Sequence, residues 1–98
     1  MTDKATLPLS RLREIGWDLW DPIGLLPEGA DRKTQPFIDE YDVYLLHVAN
    51  SLTAGWSTEQ AIAYLVQTEA ETMGLSLRST TKDRAVSTVT ALRTALRL

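Results

Sequence analysis

The sequence contains no cysteine, which excludes both a disulfide scaffold and a thiolate metal site. It also has no apolar run approaching the roughly 18 residues that a membrane-spanning helix requires. The first ten residues lack the basic flank and apolar stretch of a signal peptide. With 98 residues, 44% of them hydrophobic, the chain can form one domain around one core. We therefore expect a single cytoplasmic helical domain over residues 1–98, in which residues 1–7 are disordered.

Histidine and the common catalytic motifs are equally scarce. His47 is the only histidine, and no acidic residue lies three or four positions from it, so its helix offers no zinc-binding pair. The sequence has no nucleophile-elbow serine, no phosphate-binding loop and no dinucleotide fingerprint. We expect His47 to be an ordinary, partly buried side chain and the protein to need no cofactor. These absences favour a binding protein over an enzyme.

Basic residues are missing from the middle of the chain. Residues 34–77 contain no Lys or Arg but six acidic residues, whereas residues 78–98 contain five basic residues and one aspartate. One interpretation is that the basic segment packs beside the acidic one. The other is an acidic face for a basic protein partner, because a surface of one sign speeds association. DNA recognition by a helical hairpin around Gly55 is not favoured, since phosphate contacts require basic residues.

Apolar residues recur at helical spacing through nearly the whole chain, and strand alternation is absent. The pattern predicts helices over residues 8–20, 36–54 and 58–73, with a last helix from about residue 80 and a loop over residues 25–35. Gly55 and Gly74 are predicted helix terminators, and Ser57 with Gln60 forms a predicted capping box. The fold class is therefore all-α, with four helices in a small bundle or two packed αα-hairpins. The second helix is apolar on more than one side, which is typical of a central helix, with a homodimer interface as the alternative.

The end of the first helix carries the first of two motifs. Trp17 and Trp20 lie three residues apart, so both indoles can share one packing site. Asp21, Pro22 and Gly24 suit positions one, two and four of a type I turn, and the residue before a proline leaves the α region. This explanation is structural. The functional alternative is that Asp21 points into a cleft floored by the two tryptophans.

The second motif, Glu40-Tyr41-Asp42, is predicted to lie in the first turns of the second helix. There, the charges of Asp39, Glu40 and Asp42 interact favourably with the helix dipole. Tyr41 falls on the inward stripe, so we expect it in the core with its hydroxyl bound by a polar neighbour. If these acids have a function, it is partner binding, and Asp39, Glu40 and Asp42 are the candidate residues.

Glu69 lies at the edge of the apolar stripe of the third helix, where a carboxylate must reach solvent or find a partner. The predicted partners are Arg84, Arg93 or a tryptophan N–H. The alternative is that several carboxylates converge, since oxygen ligands bind Mg²⁺ or Ca²⁺. The residues of that candidate metal site are Asp21, Glu40, Asp42 and Glu69.

The two motifs together resemble a group of small, mostly uncharacterised bacterial proteins. Their mark is a helix ending in Trp-Asp-Pro-Ile-Gly, followed by Glu-Tyr-Asp and later by a glutamate-rich stretch that ends in Met-Gly-Leu. Here these elements are Trp20 to Gly24, Glu40 to Asp42 and Glu69 to Leu75, and the resemblance covers about residues 12–75. Some members look like accessory or immunity-type proteins of bacterial toxin systems, which act by binding a partner.

The sequence thus predicts a small bacterial, non-enzymatic interaction protein with an acidic face and an unidentified, basic protein partner. It does not predict binding to nucleic acid or membrane. A small metal-dependent enzyme or cation-binding domain is the alternative function.

Overall fold

The computed structural model describes residues 7–21, 39–74 and 78–98, and within these ranges the chain is helical with no strand. The helices are α1 (Leu9–Ile15), α2 (Asp42–Thr53), α3 (Thr58–Gln67) and α4 (Thr81–Leu96). Two π-helical turns extend them: Gly16–Trp20 continues α1, and Thr68–Thr72 continues α3. We call these the first and second π turns. The prediction of an all-α, four-helix fold is confirmed.

The π turns are the main departure from the predicted helices 8–20 and 58–73. The residue after each π turn donates its backbone N–H to the carbonyl oxygen five residues earlier. Asp21 donates to Gly16 at 2.8 Å, and Met73 donates to Thr68 at 2.9 Å. Gly16 and Trp17 are both buried in the first π turn, as are Thr68 and Glu69 in the second. Both motif tryptophans and Glu69 therefore reach the interior from π-helical backbone.

The second helix begins later than its apolar pattern predicts. Residues 39–41 form a turn, and α2 begins at Asp42. Asp39 and Glu40 therefore precede the helix rather than occupying its first turns. The α2 end is as predicted: Gly55 has a φ of 120°, and the Ser57–Gln60 capping box is formed with bonds of 3.1 and 2.8 Å.

The core is formed where α2 meets the other helices. α2 contacts α1, α3 and α4, as expected of a central helix, and α4 is equally central, since it packs against α1, α2, α3 and the first π turn. The buried apolar side chains include Leu12, Ile15, Trp17, Trp20, Tyr41, Leu45, Val48, Leu52, Leu65, Val89 and Leu92. Two apolar residues of α2, Val43 and Leu46, instead lie on the surface.

Some predictions fall outside the described residues. These are the disorder of residues 1–6, the type I turn after Asp21 and the loop over residues 25–35. Leu7 is described, and it is partly buried against the core. None of the helices in the described ranges combines the length and the apolar character that a membrane span needs.

Candidate functional site

Glu69 is fully buried and is bound from α4. Its Oε2 accepts a hydrogen bond from Arg84 Nη2 at 3.0 Å and another from the Thr81 hydroxyl at 3.2 Å. The side chain of Glu69 is 0% exposed and that of Arg84 is 21% exposed. Of the partners that the sequence offered for Glu69, the structure selects Arg84. A buried carboxylate held by a guanidinium and a hydroxyl is compensated within the fold.

Arg84 also connects this ion pair to the first motif. Its Nη1 donates to the carbonyl oxygen of Trp20 at 2.8 Å, at the end of the first π turn. A helix end leaves its last carbonyls without intrahelical partners, so the guanidinium satisfies one of them. One side chain thus fixes the positions of both π turns relative to α4.

The motif tryptophans surround Tyr41 of the second motif. The Tyr41 ring lies 4.6 Å from Trp17 and 5.3 Å from Trp20, measured between centroids, and its side chain is buried. Its hydroxyl donates to Asp21 Oδ1 at 2.7 Å. The prediction of a core tyrosine with a bound hydroxyl is confirmed. The functional alternative was a cleft beside the two indoles, with the Asp21 carboxylate pointing into it. The Tyr41 side chain fills that place.

Asp21 has a backbone conformation that few residues adopt. Its φ of 26° and ψ of 62° lie outside the right-handed α region, as predicted, but they also lie outside the extended region that a residue before proline usually adopts. Asp and Asn tolerate positive φ better than most residues because their short side chains can hydrogen-bond locally. The bond from Tyr41 stabilises this strained residue at the point where the first helix ends.

Asp42 is bound by a residue of α1. Arg13 Nη2 and Nε donate to Asp42 Oδ2 and Oδ1 at 2.8 and 3.1 Å, a two-pronged geometry that a carboxylate accepts well. The hydrogen bonds to Asp42 raise the pKa of Arg13 above its ordinary value, so Arg13 stays charged at every pH of practical interest. The charge of Asp42 is therefore balanced within the chain. Of the three candidate partner-binding acids, only Asp39 and Glu40 are exposed.

The four predicted metal ligands do not form a common site. Asp21, Glu40, Asp42 and Glu69 all belong to the described residues, and no three acidic or histidine side chains there are grouped to hold a metal ion. Three of them have different partners: Tyr41 for Asp21, Arg13 for Asp42 and Arg84 for Glu69. The structure thus distributes these carboxylates among separate interhelical contacts.

The sequence interpretation missed a second aromatic cluster, between α2 and α3. His47 is exposed, not partly buried as predicted, and its ring lies 4.7 Å from Tyr64 and 5.3 Å from Trp56. Trp56 and Tyr64 also contact each other at 5.8 Å and are half-buried. The predicted hairpin contained the signal, because antiparallel helices joined at Gly55 bring residues of equal distance from the turn together.

The exposed apolar residues of α2 extend this cluster. Val43 is 66% exposed and Leu46 is 41% exposed. Val43 lies three residues before Leu46 and four before His47, so it neighbours both on the helix surface. We call the set Val43, Leu46, His47, Trp56 and Tyr64 the α2–α3 surface. It contains no charged side chain.

Acidic residues lie at one end of the α2–α3 surface. Asp39 and Glu40 precede α2, one turn before Val43, and both are exposed. Glu71, in the second π turn, is also exposed and lies two turns beyond Tyr64. Since α2 and α3 are antiparallel, these three acids lie toward the same end of the hairpin. The surface thus combines an uncharged aromatic centre with a negative end.

Comparison with known proteins adds no assignment: no protein-family model, no curated protein and no solved structure matches this chain.

Proposed function

We propose that this chain is a non-enzymatic protein–protein interaction module, of the accessory or immunity type, that binds a basic partner through the α2–α3 surface. The exposure of Val43 and Leu46 beside the His47–Trp56–Tyr64 cluster is the observation that carries the proposal. Aromatic residues are enriched at the centres of protein interfaces, and contiguous exposed apolar groups mark interaction sites. We place the module in the bacterial cytoplasm, as the sequence predicts.

Charge determines the kind of partner. Residues 34–77 contain no Lys or Arg, and the exposed acids Asp39, Glu40 and Glu71 border the α2–α3 surface at one end. A partner segment with apolar side chains followed by Lys or Arg would match this arrangement. The charges would speed the encounter and the apolar contacts would slow dissociation.

The internal carboxylates support a binding role over an acid–base role. Asp21, Asp42 and Glu69 each accept hydrogen bonds from another element of the fold. These hydrogen bonds give each of the three carboxylates a structural role within the fold. The α2–α3 surface, by contrast, is exposed and has acidic residues beside it.

Photo-crosslinking in a lysate of the native host tests this proposal. A crosslinking amino acid at Leu46 is expected to capture one basic protein, while the same group at Thr90, an exposed position of α4, is expected to capture no basic protein. Exchanging both Val43 and Leu46 for Ser should weaken purified-partner binding by about 10- to 100-fold, since each loses apolar contact area. Asp39→Lys with Glu40→Lys should weaken it by about tenfold and reduce its salt dependence.

The stability of the variants provides the control. All four substituted side chains are exposed, so the midpoint of urea unfolding should stay close to that of the unchanged protein. Equal capture from Leu46 and Thr90, or binding that survives both pairs of substitutions, would contradict the proposal.

A further inference from the structure

A second surface feature lies on the other side of α3. An apolar groove of about 340 Å³ runs between α3 and α4. Its lining residues are Glu59, Ile62, Ala63, Val66 and Lys82. Val86, one turn after Lys82 on α4, is 37% exposed and extends the apolar side of the groove. We call these residues the α3–α4 groove.

The groove is separate from the α2–α3 surface. Ile62 and Val66 are four residues apart and share one face of α3. Tyr64 lies midway between them in sequence, about 200° around the helix from each. The two surfaces therefore use opposite sides of α3, and one can be occupied without blocking the other.

The groove has an acid at one end and a base at the other. Glu59 lies in the first turn of α3, about 10 Å along the axis from Val66. Lys82 lies in the first turn of α4, next to Thr81, which bonds Glu69 just beyond the other end of α3. The two charges thus mark opposite ends of an apolar strip. Glu59 and Lys82 are both exposed.

We propose that the α3–α4 groove is covered by the same groove of a second copy of this chain. The two copies are related by a two-fold axis that crosses the groove at its middle, perpendicular to its length. This rotation reverses the direction of the strip, so Glu59 of each copy faces Lys82 of the other. Ile62, Val66 and Val86 of both copies come together between the two ion pairs. A two-fold contact requires a self-complementary patch, and an apolar strip with opposite charges at its ends has this property.

The charge pattern favours this occupant over a small ligand or a strongly basic protein. The groove offers no polar lining side chain except those at its two ends, whereas a ligand site usually has a few convergent polar groups. Its two end charges cancel, so it does not select a partner of one sign. The dimer differs from the sequence-based alternative, which placed a homodimer interface on the second helix.

Sedimentation equilibrium of charge-reversed variants tests the proposal. The unchanged protein should show a reversible monomer–dimer equilibrium between micromolar and millimolar concentration. Glu59→Lys or Lys82→Glu alone puts two like-charged pairs into the dimer, so its dissociation constant should rise about tenfold or more. Mixing the two single variants should restore dimers, because each reversed charge then faces its opposite across the interface. The double variant Glu59→Lys, Lys82→Glu should dimerise alone.

Arg97→Glu is the matched control for Lys82→Glu, with the same charge change on an exposed residue at the opposite end of α4. It should dimerise like the unchanged protein. Circular dichroism verifies that every variant is folded. An unchanged protein that stays monomeric at millimolar concentration overturns the proposal and leaves the groove to another occupant. Failure of the mixed single variants to associate overturns it as well.

Discussion

Arg84→Met is expected to lower the free energy of unfolding by about 3–5 kcal/mol, because it leaves the carboxylate of Glu69 buried without a counter-charge. Glu69 is 0% exposed, and Arg84 supplies its guanidinium partner as well as a bond to the Trp20 carbonyl. A domain of this size is stable by roughly 5–15 kcal/mol, so the variant should lose a large fraction of its stability. Equilibrium urea unfolding followed by tryptophan fluorescence measures the change.

Two further variants separate buried charge from a general loss of contacts. Arg11→Met removes an ion pair with Glu14 in which both side chains are more than 40% exposed, and should cost less than about 1 kcal/mol. The double variant Arg84→Met, Glu69→Met should regain much of the stability, since an apolar pair removes the uncompensated charge. If Arg84→Met costs no more than Arg11→Met, the Glu69 ion pair does not organise the fold.

Trp20→Ala is expected to lower the free energy of unfolding by about 3–5 kcal/mol, the usual range when a large buried aromatic side chain is truncated. Trp20 is 1% exposed and contacts both Tyr41 and Tyr44. Its indole Nε1 is buried with no acceptor among the described residues, and such a group costs about 1–3 kcal/mol. Trp20→Phe removes this N–H while keeping an aromatic ring. Its free energy of unfolding should therefore lie within about 1 kcal/mol of that of the unchanged protein.

Far-UV circular dichroism during urea unfolding is the suitable measurement, because both variants alter the fluorescence. The informative quantity is the difference in the free energy of unfolding between Trp20→Phe and Trp20→Ala. Equal destabilisation by Trp20→Phe and Trp20→Ala would contradict the expectation that removing the unpaired N–H offsets the smaller volume of the ring.

The sequence predicted those parts of the fold that depend on local chemistry. Helix periodicity gave the four helices, and Ser57 with Gln60 gave the turn between α2 and α3 because both bonds of the capping box lie within four residues. Tyr41 was placed in the core by its position on the apolar stripe, and Arg84 was among the predicted partners of Glu69.

The parts that failed depend on tertiary contacts. The π turns have no signature in the apolar spacing, and both sit where the chain bonds to another element through Trp20 or Glu69. The bond between Arg13 and Asp42 was not predicted, because Arg13 lies 29 positions earlier, on a face whose direction depends on the packing of α1. A role of Asp42 in partner binding stays a prediction. The metal alternative treated four carboxylates as equivalent, while the fold gives three of them different partners.

The exposure of His47 was missed for a similar reason. Its neighbours one turn earlier on α2 are Val43 and Tyr44, and those one turn later are Asn50 and Ser51, so its own helix suggested partial burial. The contacts with Trp56 and Tyr64 come from the far side of the hairpin, and they lie at the surface because α2 turns Leu45 and Val48 toward the core instead. A half-exposed aromatic cluster is visible only after the helices are oriented relative to one another.

The central claim is that the two motifs serve the architecture and leave binding to other surfaces. The most direct test is the coupling free energy between Asp21 and Tyr41, the two motif residues joined by a 2.7 Å hydrogen bond, in a double-mutant cycle of unfolding. The substitutions are Asp21→Ala and Tyr41→Phe, and the backbone cost of alanine at a φ of 26° cancels in the cycle. We expect a coupling of about 1.5–3 kcal/mol, the range for a hydrogen bond to a charged group. A coupling near zero would contradict the claim that this bond joins the motifs for stability.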